Sequence, residues 1–152
     1  MLTFIQKYCS KEWQEFIDYH KKSITFSKNE FIFQAGDKTT GLFIIESGKV
    51  KITYQQHDNT NLLIRLAGDG DVLGHRGFGG NWTYPISAYT LEETTVSFIP
   101  SETFIACAKT NPEFSYQLMM FFAEELRKSE ARIMHYPVRN LVARAILDNY
   151  KA

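Results

Sequence analysis

Gly68-Asp-Gly-Asp-Val-Leu-Gly-His-Arg-Gly-Phe-Gly-Gly80 is the stretch around which the rest of the chain is arranged: it holds six of the nine glycines of this 152-residue sequence. Glycine accepts positive φ and lets a backbone come close to a neighbour, so a cluster this dense predicts a tight turn followed by a loop of exposed N–H groups. Such a loop can form a concavity that holds an anion. It can equally be a bulged corner that binds nothing, and the pattern alone leaves both readings open. Strand-like runs flank it, Asn61-Leu-Leu-Ile-Arg-Leu66 before and Pro85-Ile-Ser-Ala-Tyr-Thr90 after.

Upstream, period-two alternation runs from Ser23. Ile24 and Phe26, Phe31 and Phe33, Val50, Ile52 and Tyr54, then Leu62, Ile64 and Leu66 alternate with polar residues, while Leu42-Phe-Ile-Ile45 reads as a short buried strand. Ser27–Glu30, Gln34–Lys38, Glu46–Lys49 and Gln55–Thr60 read as the turns between them. Downstream, Ser87–Leu91 and Thr94–Ile99 close the series. Short strands at this spacing, broken by glycine turns, predict an antiparallel sandwich or barrel.

Helical patterns flank this β-rich body. Ser10 is placed to cap a helix through Trp13, Phe16, Ile17 and His20. Ser101-Glu-Thr-Phe104 begins a short helix through Ala108. Asn111-Pro-Glu113 reads as a strong start: a capping Asn, Pro in the first turn, then an acid at the positive end of the dipole. On the next helix, Phe114, Leu118, Phe121, Leu126 and Ile133 share one broad face, widened by Met119, Met120 and Phe122. That is more apolar surface than a solvent-facing helix carries, and it predicts a parallel dimer seam. Pro137 is expected to break or kink the helix. Val138–Leu147 then reads as a new amphipathic helix whose apolar residues have little left to cover before Ala152, an ending that looks unfinished.

Formal net charge is zero, so no global basic field marks a nucleic-acid binder. Cys9 and Cys107 match neither a metal spacing nor a disulfide framework and read as two reduced thiols in a cytoplasmic protein. No signal peptide and no membrane-length apolar run is read. Neither Ser-His-Asp, nor paired carboxylates, nor a P-loop is present. The four histidines, His20, His57, His75 and His135, are scattered and form no His-x-His pair, so neither a metal site nor an enzyme is expected.

Six stretches in order now carry a resemblance. They are Phe31-Ile-Phe-Gln-Ala-Gly-Asp37, Phe43-Ile-Ile-Glu-Ser-Gly-Lys-Val50, Gly70-Asp-Val-Leu-Gly74, Ser87-Ala88, Asn111-Pro-Glu113 and Val138-Arg-Asn-Leu-Val-Ala-Arg144. Together they resemble the Crp/Fnr superfamily of bacterial transcription regulators over nearly the whole chain. The resemblance implies a mainly β fold with flanking helices: a jelly-roll-like double-stranded β-helix barrel followed by a long C-terminal dimerisation helix. It implies a cyclic nucleotide-binding-like sensor domain over residues 1–110, a dimerisation helix over 111–136, and over 137–152 a hinge and the first helix of an otherwise missing winged helix-turn-helix. DNA contact would then need a C-terminal domain absent from these residues.

The same resemblance implies the site. Gly74, His75, Arg76, Gly77, Phe78, Ser87 and Ala88 from the barrel, with Glu125, Ser129 and Glu130 from the long helix, would line an effector pocket. Leu118, Phe121, Phe122, Leu126 and Ile133 would form the homodimer seam. Departures fall on the site itself. Cyclic-nucleotide binders of the family place a glutamate for the ribose hydroxyl where this chain has His75, and an arginine for the cyclic phosphate where it has Ile86. Each contact is worth roughly 1.5–3 kcal/mol, so losing both weakens binding on the order of a hundredfold or more. Arg76, one residue on, offers a replacement cation, and Asn81-Trp-Thr-Tyr-Pro85 adds bulk. Cyclic AMP is therefore not the expected ligand, and the effector is an unknown small molecule. Cys9 alone near the N-terminus cannot hold an iron–sulfur cluster, and haem at His75 is set aside. The alternatives are a stand-alone ligand-binding or protein-interaction module without DNA binding, and a vestigial pocket filled by side chains such as Phe78 and Trp82.

Overall fold

The computed structural model describes the backbone of residues 2–151 and the side chains of residues 4–132. The chain divides into two compact units, Met1–Phe114 and Ser115–Ala152.

The first unit begins with two helices, α1 (Leu2–Tyr8) and α2 (Lys11–His20). Eight strands follow: β1 (Lys22–Phe26), β2 (Phe31–Phe33), β3 (Gly41–Ser47), β4 (Val50–Gln55), β5 (Asn61–Ala67), β6 (Val72–Leu73), β7 (Ser87–Thr90) and β8 (Thr94–Pro100). They form two four-stranded sheets, ordered β1-β8-β3-β6 and β2-β7-β4-β5, with every pairing antiparallel. This is the antiparallel sandwich predicted by the alternation, in the jelly-roll-like form that the resemblance implies. The core between the sheets is built from Phe33, Phe43, Ile45, Val50, Ile52, Leu73, Ala88 and Val96, all buried. The inward set follows the period-two pattern closely in β4, where Val50 and Ile52 are buried and Lys51 and Thr53 are half-buried.

Polar pegs fix the turns. Thr90 is fully buried; its hydroxyl donates to the Ser27 carbonyl at 2.7 Å and accepts from the Glu30 N–H at 2.9 Å, holding the β1–β2 turn against β7. Asn29, at φ 66°, is the left-handed residue of that turn.

Three local features depart from the sequence pattern. In the β4–β5 ladder Ile52 pairs with Arg65 and Thr53 with Leu63, so Ile64 is an extra, bulged residue. A bulge reverses the parity of the residues beyond it. Leu66, expected on the same face as Leu62 and Ile64, is 64% exposed, and Arg65 turns inward beside Ile64. Ser10 stands at the N-cap of α2 without a side-chain capping bond. Asn111 caps a helix, but at its other end: its side-chain amide donates to the Cys107 carbonyl at 2.8 Å and closes α3 (Ser101–Thr110).

Helix α4 (Pro112–Lys151) opens with proline at its first position, as the Asn-Pro-Glu signal predicts. Its first turn belongs to the first unit: Phe114 is fully buried, with ring centroids 5.6 Å from Phe4 and 5.9 Å from Phe104. In the second unit Leu118, Phe121 and Phe122 are half-buried, the two rings 5.7 Å apart, and Met119, Met120 and Leu126 are exposed. The backbone of α4 stays helical through Pro137 to Lys151, so the break expected there does not appear; the side chains of Ile133 and of the apolar face expected after Pro137 lie outside the described ones.

Candidate functional site

The glycine-rich stretch leaves β5 at Gly68 and is tied down at once. The Asp71 carboxylate accepts the Gly68 N–H at 2.9 Å, and the Gly70 N–H donates to the Ile45 carbonyl at 2.8 Å. Val72 and Leu73 then pair with Ile44 and Phe43 as β6, a two-residue strand that the alternation did not foretell. Gly74, at φ 84°, turns the chain into a single 3-10 turn, His75–Gly77. A Cβ at Gly77 would lie 2.3 Å from Thr39 Oγ1 and 2.8 Å from Tyr84 Cδ1. The glycine there is demanded by close packing, since the Thr39 hydroxyl donates to the Gly77 carbonyl at 2.8 Å.

This turn, the end of β5 and the residues before β7 enclose a cavity walled by Phe33, Arg65, His75, Arg76, Tyr84 and Ile86 among others. Its room for solvent is about 10 Å³, which is the space of a single water. Tyr84 is one of its walls and part of the core between the sheets. It is 2% exposed, its ring stacks on Phe33 at 4.1 Å, and its hydroxyl donates to the Gly41 carbonyl at 2.9 Å while accepting from the Thr40 N–H at 3.1 Å. From the sequence Tyr84 counted as part of the bulk of Asn81–Pro85; the structure makes it a core residue.

Two guanidinium groups border the cavity in different states. Arg65 donates to the Val72 carbonyl at 2.9 Å and lies 3.8 Å from the Asp71 carboxylate. Arg76 is half-buried and forms no ion pair among the described residues. His75 between the glycines is buried.

Among the other residues expected at the site, Gly74 and Gly77 line this cavity with His75 and Arg76. Phe78 packs away from it, against Phe104 at 5.3 Å and Trp82 at 5.7 Å. Ala88 is buried in β7 within the core. Ser87 accepts the Ala35 N–H at 2.9 Å and faces a separate open groove of about 340 Å³ on the outer surface of the β2-β7-β4-β5 sheet, with Phe31, Lys51 and Tyr89. Glu125, Ser129 and Glu130 are on α4 in the second unit, where Glu125 pairs with Lys128 at 3.4 Å. Sequence reasoning missed Phe33 and Tyr84 as cavity walls. Tyr84 lies two residues before Ile86, on the same alternating face, and that spacing was the available signal.

Chemically, the arrangement offers a guanidinium, that of Arg76, at the rim of a nearly filled apolar cavity. Among the described residues that line this cavity, none is a carboxylate able to hold a ribose hydroxyl.

Comparison with known proteins places this geometry. Residues 23–111 match the family described as the cyclic nucleotide-binding domain. The chain is 27% identical over 114 residues to the transcriptional activator protein anr of Pseudomonas aeruginosa, an alignment covering 75% of this chain and 46% of that protein. It is 27% identical over 128 residues to the CRP-like cAMP-activated global transcriptional regulator of Mycobacterium tuberculosis, covering 82% and 57%. In fold it is similar to the crystal structure of the sensor domain of the transcriptional regulator DNR from Pseudomonas aeruginosa, with a TM-score of 0.74 at 12% identity over 82% of this chain and 84% of that one. The chain spans about half the length of these curated relatives. With a family match over more than half its residues, the chain belongs to the cyclic nucleotide-binding domain family, and transcription regulators are among its relatives.

Proposed function

We propose that this chain is the effector-sensing and dimerisation region of a Crp/Fnr-type transcription regulator whose pocket does not take cyclic AMP. The observation that carries the reading is the cavity beside His75–Gly77. Tyr84 stacked on Phe33 forms part of its wall, Ile86 stands where the family's phosphate-binding arginine would be, and the room left is that of one water. Isothermal titration calorimetry on the 152-residue chain is expected to show no saturable heat with cyclic AMP up to millimolar concentrations. Binding at micromolar or tighter affinity overturns the proposal. The side chain supporting this reading is Tyr84 rather than the Phe78 and Trp82 named from the sequence.

Dimerisation is assigned to α4, on which Met119, Met120 and Leu126 are 58%, 45% and 61% exposed. A row of large apolar residues left in water is the usual mark of an association surface. Leu126→Glu is expected to convert the protein from dimer to monomer in size-exclusion chromatography with light scattering, at unchanged circular dichroism. A dimer that survives the substitution moves the seam elsewhere. DNA contact is assigned to a C-terminal domain outside these residues. The intact mass from the native host tests that: a value well above 17.6 kDa supports it, and 17.6 kDa favours a stand-alone binding or interaction module.

A further inference from the structure

Cys9 and Cys107 are 98 positions apart in sequence and meet in the fold. Cys9 sits in the bend between α1 and α2, Cys107 near the end of α3, and their sulfurs are 3.2 Å apart. Both are buried, at 7% and 0% exposure. A sulfur pair at this distance needs a further approach of only about 1 Å to reach bonding distance, which small side-chain rotations supply. Both thiols are free, in line with the reading of two reduced thiols, and the fold brings them side by side.

The two sulfurs are also chemically unequal. The hydrogen bond shared between them pushes the Cys9 thiol far up and holds the Cys107 thiol below its ordinary value, as expected when Cys9 is the donor. The Asn111 side-chain amide stands 3.8 Å from the Cys107 sulfur and adds a second donor dipole. Cys107 is therefore the sulfur better suited to carry thiolate character, and thiolate character sets thiol reactivity.

We propose that Cys9 and Cys107 form an intramolecular redox site, a dithiol that closes to a disulfide when a hydroperoxide reaches it. The Cys107 thiolate attacks the peroxide oxygen, the O–O bond breaks, and the departing hydroxide takes up a proton as water, leaving Cys107 as a sulfenic acid. The Cys9 sulfur attacks the Cys107 sulfur, the S–O bond breaks, and the second hydroxide leaves as water with the proton of Cys9. Two thiols lose two electrons in all, and hydrogen peroxide is reduced to two waters. Access runs past α1. Its seven residues fall well short of the roughly 12–15 at which a helix persists alone, and it is held in place by Phe4 against Phe114. Closing the bond ties this N-terminal segment to the end of α3, close to the point from which α4 departs.

The test uses the whole 152-residue chain treated with hydrogen peroxide, then denatured and alkylated. The expected result is that both thiols vanish together, the intact mass falls by about 2 Da as two hydrogens leave, and dithiothreitol restores both. Tryptic mapping should find the peptides holding Cys9 and Cys107 travelling as one. Cys9→Ser and Cys107→Ser should each abolish the mass loss. Phe4→Ala, which loosens α1, should speed the closure severalfold. Retention of both thiols under treatment that oxidises an exposed cysteine, oxygen added to a single sulfur, or covalent dimers in place of the internal link each overturns the proposal. The mapping on the unsubstituted protein decides the matter even if a serine variant does not fold.

Discussion

Tyr84→Ala will lower the free energy of unfolding by about 3–5 kcal/mol, the range for deleting a buried aromatic ring, as read from urea titration at constant slope. Tyr84 combines two roles that are usually separate. Its ring fills the space between the sheets against Phe33, and its hydroxyl satisfies the backbone of the residues entering β3, donating to the Gly41 carbonyl and accepting from the Thr40 N–H. Tyr84→Phe separates them. It keeps the ring and leaves the Gly41 carbonyl without this donor, a loss of about 1–3 kcal/mol. Small domains hold roughly 5–15 kcal/mol in all, so the alanine variant will sit near its folding threshold at room temperature while the phenylalanine variant remains folded. Equal losses in the two variants would mean that the hydroxyl carries the whole effect and that the ring fills nothing of consequence.

The second large effect belongs to Gly41→Ala. A Cβ built there would lie 2.2 Å from the Ile99 carbonyl oxygen and 2.6 Å from Phe98 Cε2. The Phe98 ring can rotate away, but the carbonyl is part of the β3–β8 ladder, where Leu42 pairs with Ile99 and Gly41 with Pro100. Relief therefore requires one strand to shift against the other. Overpacking usually costs about 1–3 kcal/mol, and the upper end is expected here because the neighbour is backbone in the middle of a sheet. The shift would also carry the Gly41 carbonyl away from the Tyr84 hydroxyl, so the double variant Gly41→Ala, Tyr84→Phe should lose less than the sum of the singles. Additive losses in that cycle would show that the two positions are not coupled.

These two positions mark the boundary of legibility in the sequence. Seven of the eight strands stood out, Val50 and Ile52 or Ile24 and Phe26 by the spacing a half-buried strand requires, Leu42–Ile45 as a continuous apolar run. Val72–Leu73 did not, since two residues are too few to show a period. The bulge at Ile64, which turns Arg65 inward, was equally invisible, because a bulge is a property of the ladder between two strands rather than of either strand's composition. Gly68–Gly80 was legible as the locus of the candidate site, but the reason for its glycines was not. Gly77 is a glycine because Thr39 and Tyr84 press on it, and those neighbours are 38 and 7 positions away. The cysteines were legible as residues and illegible as a pair, for the same reason of distance along the chain.

The neighbours of β8 set a schedule for biosynthesis. β8 (Thr94–Pro100) lies between β1 and β3, with Lys22 facing Phe98 and Leu42 facing Ile99. Neither of those early strands has its main partner until residue 100 has been made. The ribosome adds roughly 5–20 residues per second, so β1, complete at Phe26, waits on the order of 4–15 s for β8. Throughout that interval Ile24, Phe26 and Leu42-Phe-Ile-Ile45 present unpaired, apolar strand edges to whatever else is nascent nearby. The nascent chain is thus most exposed to misassembly just before its final strand emerges. A pause in translation upstream of Thr94 would lengthen that exposure, and one after Pro100 would let the sandwich close before α4 is finished.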